Sequence, residues 1–132
     1  MTTFDQMVRS AAMEPVPQRL LFVFANVELP PDASEQQRAQ FAAGQGGVPV
    51  PLMCVDKAPQ EIASFEALVA ESAQMGVTWA LIFAASLAGT PQDVPSSSDA
   101  EKPLEKMIDA IRRGDFSDCI VFDRQGEILK FA

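Results

Sequence analysis

The chain has 132 residues, of which 48% are hydrophobic and 21% are charged, and it carries a net charge of −8. This length suits a single domain, residues 1–132, that buries one core without metals or disulfides. The acidic balance argues against nucleic acid and anionic membrane surfaces as partners, because both are bound through clustered lysine and arginine.

The first half of the chain predicts two helices and two strands. Thr2 and Asp5 form a capping box ahead of apolar residues at helical spacing, which predicts an amino-terminal helix. Residues 20–27 are almost continuously apolar, as expected of a strand covered on both faces. A second helix is predicted from Ser34 until Gly44 ends it. The stretch PLMCVD then predicts a short buried strand.

The second half predicts two more helices and three strands. A helix that begins at Pro59 is expected to end at Gly76, and residues 78–85 form the second long apolar strand. The buried face of that helix is predicted to consist of Ile62, Phe65, Leu68, Val69 and Met75. Ser98 and Glu101 predict a capping box for the last helix, with Pro103 shifting its start two to four residues later. The stretch CIVFDRQGEILKF predicts a hairpin with a glycine in its tight turn.

The resulting order, α β α β α β α β β, alternates helices with strands. Such alternation favours right-handed crossovers and helices on both faces of a sheet. The sequence therefore predicts an α/β fold with a three-layer open sheet, mainly parallel, that ends in an antiparallel carboxy-terminal hairpin. Residues 20–27 and 78–85 are expected as its central and adjacent or near-adjacent strands, because both runs are apolar on both faces.

The glycine cluster GQGG and the absence of histidine limit the possible chemistry. A phosphate-binding loop needs a strand, then glycines, then a helix, whereas these glycines follow a helix and precede a strand. We therefore interpret Gly44 as a helix end and Gly46 and Gly47 as loop residues. We expect alanine to be least tolerated at Gly44, unless φ is also positive at Gly46 or Gly47. The chain has no histidine, which excludes Ser-His and Cys-His nucleophile pairs. We predict no cofactor, no metal and no catalytic residue.

The two cysteines and the amino terminus indicate a compartment. Cys54 and Cys119 stand apart without a CxxC motif, and the first residues lack the apolar core of a secretory signal. The longest apolar run is shorter than the roughly 20 residues that span a bilayer. We therefore expect a cytoplasmic protein with reduced thiols. Cys54 is predicted to be buried and inert, and Cys119 to be unreactive because Asp118 raises its pKa.

Four polar side chains at predicted strand ends form a candidate ligand-binding site. Ligands gather at the carboxyl ends of parallel strands, where this sequence has Asn26, Asp56, Lys57 and Ser86. Asp56 and Lys57 are adjacent, so they point to opposite faces of the sheet. In a cleft, Asp56 would act as a base or metal ligand, with Ser86 and Asn26 as polar contacts. Alternatively, all four are ordinary polar residues near loops, and Lys57 pairs with Glu61.

Four segments carry a resemblance that covers most of the chain: PQRLLFVFANVELP, GQGGVPVPLMCVDK, DAEKPLEKMIDAIRRGDF and FDRQGE. In these segments the chain resembles a family of small proteobacterial proteins of uncharacterised activity, some of which carry the label "ribonucleotide reductase subunit alpha". The catalytic subunit of that enzyme is a several-fold longer chain with a large barrel and a set of redox and radical cysteines. Two cysteines and no tyrosine cannot supply that chemistry, so the resemblance implies no catalytic residue here.

The leading functional hypothesis is a non-enzymatic cytoplasmic accessory or protein-interaction domain, which forms a homodimer or binds a protein partner. The alternative is a small-ligand-binding protein or enzyme with its site at the carboxyl ends of the strands. The stretch between Lys57 and Lys102 contains acidic but no basic residues. We interpret it as a solubilising surface, the alternative being a docking site for a basic partner.

Overall fold

The structure is a computed structural model that describes residues 1–129. In chain order its elements are α1 (Thr3–Ala12), β1 (Gln18–Glu28), α2 (Glu35–Ala42), β2 (Val48–Lys57), α3 (Phe65–Gln74), β3 (Leu81–Ala88), α4 (Ser97–Arg112) and β4 (Ile120–Phe122). A 3₁₀ turn at Pro59–Glu61 precedes α3. None of the helices described in this part of the chain is long and apolar enough to cross a bilayer.

The first two helices begin where the sequence predicts. The side chains of Thr2 and Ser34 each accept a hydrogen bond from the backbone three residues later, and both capping boxes are formed. The third predicted helix is divided, because Pro59 opens only a short turn and Ser64 caps α3 separately. Met75 was expected on the buried face of this helix, and that prediction is wrong, since the side chain is 57% exposed.

The start of α4 also differs from its prediction. Its capping box joins Ser96 to Asp99, two residues before the predicted pair, and the helix continues through Pro103. The helix tolerates this proline because it buries Leu104, Met107 and other apolar residues against the sheet, which offsets the lost backbone hydrogen bond.

The four strands form one sheet in the order β2-β1-β3-β4, and every neighbouring pair is antiparallel. The prediction of a mainly parallel sheet is therefore wrong. For β1 and β2 the reason is α2, which buries no residue. A helix that connects parallel strands must cover the sheet, whereas α2 lies outside it and leaves β1 and β2 joined as a long antiparallel pair. The prediction that residues 20–27 and 78–85 supply the central strands is confirmed in topology, since β1 and β3 are adjacent inner strands, but β3 begins only at Leu81.

Helices cover both faces of the sheet. On the face of α1 and α3, the ring of Phe4 lies 5.1 to 5.4 Å from the rings of Phe22, Phe65 and Phe122. On the other face, a second cluster joins residues of α4, among them Met107 and Ile111, to Val23 and Phe83 of the inner strands. Successive residues of β1 alternate between these clusters, as the period of a strand requires.

The carboxy-terminal hairpin is present as far as the structure describes it. Phe122 bridges Ile128 in antiparallel register, and Gly126 has a φ of +80° at the turn. The last part of the predicted hairpin, residues 130–131, lies outside the described residues.

Candidate functional site

The structure separates the four residues of the predicted ligand site. Asp56 and Lys57 lie opposite the start of β1, and Ser86 pairs with Leu20 at the same end of the sheet. Asn26 pairs with Val50 at the other end, roughly 20 Å further along β1 at about 3.3 Å per residue. Because the sheet is antiparallel, the carboxyl ends of its strands do not meet at one edge.

Asp56 belongs to a polar network on the α4 face. Its Oδ1 accepts hydrogen bonds from Arg19 Nε and from the Ser97 hydroxyl, both at 2.5 Å. Arg19 also donates to Ser97 at 3.0 Å. Partial burial raises the pKa of Asp56, but the hydrogen bonds from Ser97 and Arg19 and the positive charges of Arg19 and Lys57 outweigh it, so the pKa is lowered. A carboxylate held ionised by these donors is a weak base, and the network ties β1, β2 and α4 together.

Lys57 and Ser86 have other partners. Lys57 Nζ lies 3.0 Å from Glu71 of α3, so it points to the face opposite Asp56, as the sequence predicts for adjacent strand residues. The alternative pairing of Lys57 with Glu61 is not the observed one. The Ser86 hydroxyl donates to the Gln18 side chain at 2.6 Å. Each predicted residue at this end therefore engages a different neighbour.

A second feature at this end is the outer edge of β3. The strand β4 covers only part of that edge, because its register ends where Ile120 pairs with Ala84. Before Ile120 the chain turns, with the Cys119 N–H donating to the Phe116 carbonyl at 3.1 Å. Residues 85–88 of β3 therefore have β1 on one side and, among residues 1–129, no strand on the other. We call this segment the open edge.

The direction of the backbone groups on the open edge follows from the ladder. In an antiparallel ladder, alternate residues direct both their N–H and their C=O to the same neighbouring strand. The Gly89 N–H donates to the Pro17 carbonyl on the β1 side at 2.8 Å. Ser86 and Ala88 consequently direct their N–H and C=O groups away from β1, and both residues are exposed.

Cavities flank the open edge on both faces. The α1-side cavity has a volume of about 310 Å³, and apolar side chains that include Met7, Leu20 and Ile120 line it. The α4-side cavity has a volume of about 280 Å³, and Leu87 and Met107 are among its lining residues. Ser86 lines both cavities. The open edge thus combines outward backbone groups with an apolar recess on either side.

The other edge of the sheet, formed by β2, is different. Pro49 and Pro51 lie in the first half of β2, and proline has no N–H to donate to a further strand. The register shifts between Phe24 and Ala25, which leaves Leu52 without a partner residue on β1. Prolines and bulges are features that protect edge strands from pairing. The open edge of β3, with the sequence ASLA, has neither.

The two cysteines have different environments. Cys54 is exposed on β2, so the prediction that it is buried is wrong, and the reason is that β2 is an edge strand. Cys119 is partly buried at the α4-side cavity. Burial raises the pKa of the Cys119 thiol, and the negative charges of Asp118 and Asp115 raise it further. Within residues 1–129, no three His, Cys, Asp or Glu side chains are placed to hold a metal ion.

Comparisons with known proteins add no relative. No protein-family model, no curated protein and no solved structure matches the chain. The sequence did not indicate the open edge, because the length of β4 depends on the turn before Ile120 rather than on a local strand pattern. One feature of the sequence does point to it. The apolar run IVF has three residues, which is too short to pair with all eight residues of β3.

Proposed function

We propose that this chain is a cytoplasmic, non-enzymatic protein-interaction domain that binds an extended segment of a partner along the open edge of β3. The observation that supports the proposal is the outward direction of the Ser86 and Ala88 backbone groups between two apolar cavities. When a peptide adds a strand to a sheet edge, main-chain hydrogen bonds supply affinity and recesses for alternate side chains supply specificity.

Two further observations favour this function over the small-ligand alternative. The side chains of Asp56, Lys57 and Ser86 are engaged with separate neighbours, and Asn26 lies at the other end of the sheet. The β2 edge carries prolines and a bulge where the open edge carries neither. The free cysteines agree with a reducing compartment such as the cytoplasm.

The experiment selects peptides that bind the chain and then tests whether a proline in the open edge prevents their binding. Random heptapeptides displayed on phage are selected on the chain, and binders are measured on Ser86→Pro and Ser86→Ala. Proline at Ser86 removes an outward N–H and leaves the ladder to β1 intact. Alanine keeps that N–H and removes only the hydroxyl contact to Gln18. We expect the selected peptides to bind the wild type and Ser86→Ala and to lose binding to Ser86→Pro.

Two controls make the result decisive. Leu87→Pro removes an N–H that faces β1, so it should destabilise the fold far more than Ser86→Pro does. In the wild-type chain, bound peptide should slow amide hydrogen exchange at Ser86 and Ala88. Peptides that bind Ser86→Pro as well as the wild type, with no protection at these two amides, would refute the proposed function, and so would a selection without binders.

A further inference from the structure

Two carboxylates are among the residues that line the α1-side cavity. Glu14 and Asp118 line it beside apolar residues that include Met7 and Leu20. The ion pairs found within residues 1–129 involve neither of these two carboxylates. An apolar wall with negative charge at its rim fits a lysine or arginine, whose methylene stem packs on apolar surface while the charged group stays near solvent.

The α4-side cavity is lined differently. Lys106 is present there together with Asp115 and Asp118, so both signs of charge occur around it. Leu87 and Met107 are among its apolar lining residues, and the ammonium group of Lys106 would repel a basic side chain there. This recess fits an apolar side chain better than a charged one, because burial of apolar surface is favourable and burial of an unpaired charge is not.

Strand geometry assigns alternate side chains of a bound segment to the two cavities. A residue paired with Ser86 points to the same face as Ser86, the α1 face, and its neighbours point to the α4 face. We infer that the segment bound at the open edge alternates lysine or arginine with apolar residues. The basic side chain opposite Ser86 enters the α1-side cavity, and its apolar neighbours enter the α4-side cavity. This inference rests on the proposed function.

The charges also distinguish this partner from a second copy of the chain. Each copy has a net charge of −8, and pairing two open edges would bring Glu14 and Asp118 of both copies together. Like charges across an interface disfavour association. The open edge itself, ASLA, contains no basic residue that could enter the α1-side cavity of another copy. The charge balance therefore favours a basic segment of a different protein.

The test uses three synthetic heptapeptides, in which valine alternates with arginine, with threonine or with glutamate. Affinity is measured by titration calorimetry at low and at physiological salt. We expect the arginine peptide to bind roughly tenfold or more tightly than the glutamate peptide, with the threonine peptide between them. Added salt should narrow this difference, because exposed charges are screened.

Charge-reversed variants locate the effect. Glu14→Lys with Asp118→Lys should abolish the preference for arginine, whereas Glu28→Lys with Asp32→Lys changes the net charge equally but lies away from the open edge and should preserve it. If the arginine and glutamate peptides bind with equal affinity, this inference is wrong. It is also wrong if both double variants lose the preference for arginine to the same extent. If the threonine peptide still binds the wild type and not Ser86→Pro, the proposed function stands. If no peptide binds Ser86→Pro more weakly than it binds the wild type, the proposed function itself fails.

Discussion

The indole N–H of Trp79 donates a hydrogen bond to the Ser72 hydroxyl at 2.8 Å, and both residues are only 3% exposed. Ser72 in turn donates to the Val69 carbonyl at 2.7 Å, which closes a short chain of hydrogen bonds between α3 and the segment before β3. The Trp79 ring packs edge-on against Phe24, with a centroid distance of 5.2 Å. The Ser72 contact therefore satisfies the one polar atom of an aromatic side chain that is otherwise packed in the core.

Ser72→Ala should destabilise the fold by about 1–3 kcal/mol, because the Trp79 N–H would be buried without an acceptor. Urea denaturation measures this loss. In a Trp79→Phe background the N–H is absent, so the same substitution at Ser72 should cost much less. Equal costs in the two backgrounds would show that Ser72 acts through packing and not through this hydrogen bond.

The starts of the first two helices could be predicted from the sequence because their signals are local. The capping boxes at Thr2 and Ser34 depend on residues three positions apart, and both form. Strand direction could not be predicted in the same way. The alternating order assumed that each helix packs on the sheet, and α2 does not, since its polar residues leave it no apolar face to bury.

The candidate site also has features that the local sequence predicts and features that depend on contacts between distant parts of the chain. That Asp56 and Lys57 point to opposite faces follows from the strand period, and their contacts confirm it. That Asp56 pairs with Arg19, which is 37 positions away, depends on the register between β1 and β2. The open edge depends on the turn before Ile120, which ends β4 at Ala84 of β3 and is not specified by the local strand pattern.

Asp56→Asn should lower stability at pH 7 by about 1–3 kcal/mol, because it removes a charged partner from Arg19. The pKa of Asp56 is lowered in the folded state, so its contribution is fully present above the ordinary carboxyl pKa of about 3.9 and is lost as the pH falls through the lowered value. The stability difference between wild type and variant should therefore shrink below about pH 4. Urea denaturation from pH 7 to pH 3 measures it.

The matched control for this prediction is Asp32→Asn. Asp32 is exposed, and no ion pair within residues 1–129 involves it, so its substitution should change stability little at any of these pH values. If the difference in unfolding free energy between wild type and Asp56→Asn stays constant down to pH 3, or grows as the pH falls, Arg19 does not stabilise the fold through the charge of Asp56.

The two thiols should react at different rates in the native protein. Cys54 is exposed, whereas Cys119 is partly buried and its pKa is raised by burial and by the charges of Asp118 and Asp115. With Cys119→Ser and Cys54→Ser as single-thiol variants, a thiol reagent at pH 8 should label Cys54 roughly tenfold or more rapidly than Cys119. Similar rates in the native state, or faster labelling of Cys119, would contradict the described environments.

The same variants report on the open edge. Cys119 lines the α4-side cavity, while Cys54 lies on the opposite edge strand. A heptapeptide that alternates arginine and valine should therefore slow the labelling of Cys119 and leave that of Cys54 unchanged. Protection of Cys54 alone would place the peptide on β2 and contradict binding at the open edge.

Gly44 ends α2 as the sequence predicts, with a φ of +84° and an N–H that donates to the Phe41 carbonyl at 3.0 Å. A Cβ at Gly44 would meet no atom within 4 Å, so Gly44→Ala should cost only the conformational penalty, roughly 1 kcal/mol. Thermal or urea denaturation measures this cost. It serves as the reference for Gly47, which has a similar φ of +87° in more crowded surroundings.

Gly47→Ala should destabilise the fold more than Gly44→Ala. The expectation from sequence placed the largest loss at Gly44 unless φ at Gly47 is also positive, and that φ is +87°. A Cβ at Gly47 would lie 2.6 Å from Val27 Cγ1 and 3.0 Å from the Phe41 ring, so steric overlap adds to the backbone penalty. Val27→Ala removes Cγ1, so Gly47→Ala should cost less in that background, while the cost of Gly44→Ala stays the same. If Gly47→Ala costs the same with and without Val27→Ala, the contact with Val27 does not contribute, and the cost comes from the positive φ and the Phe41 ring.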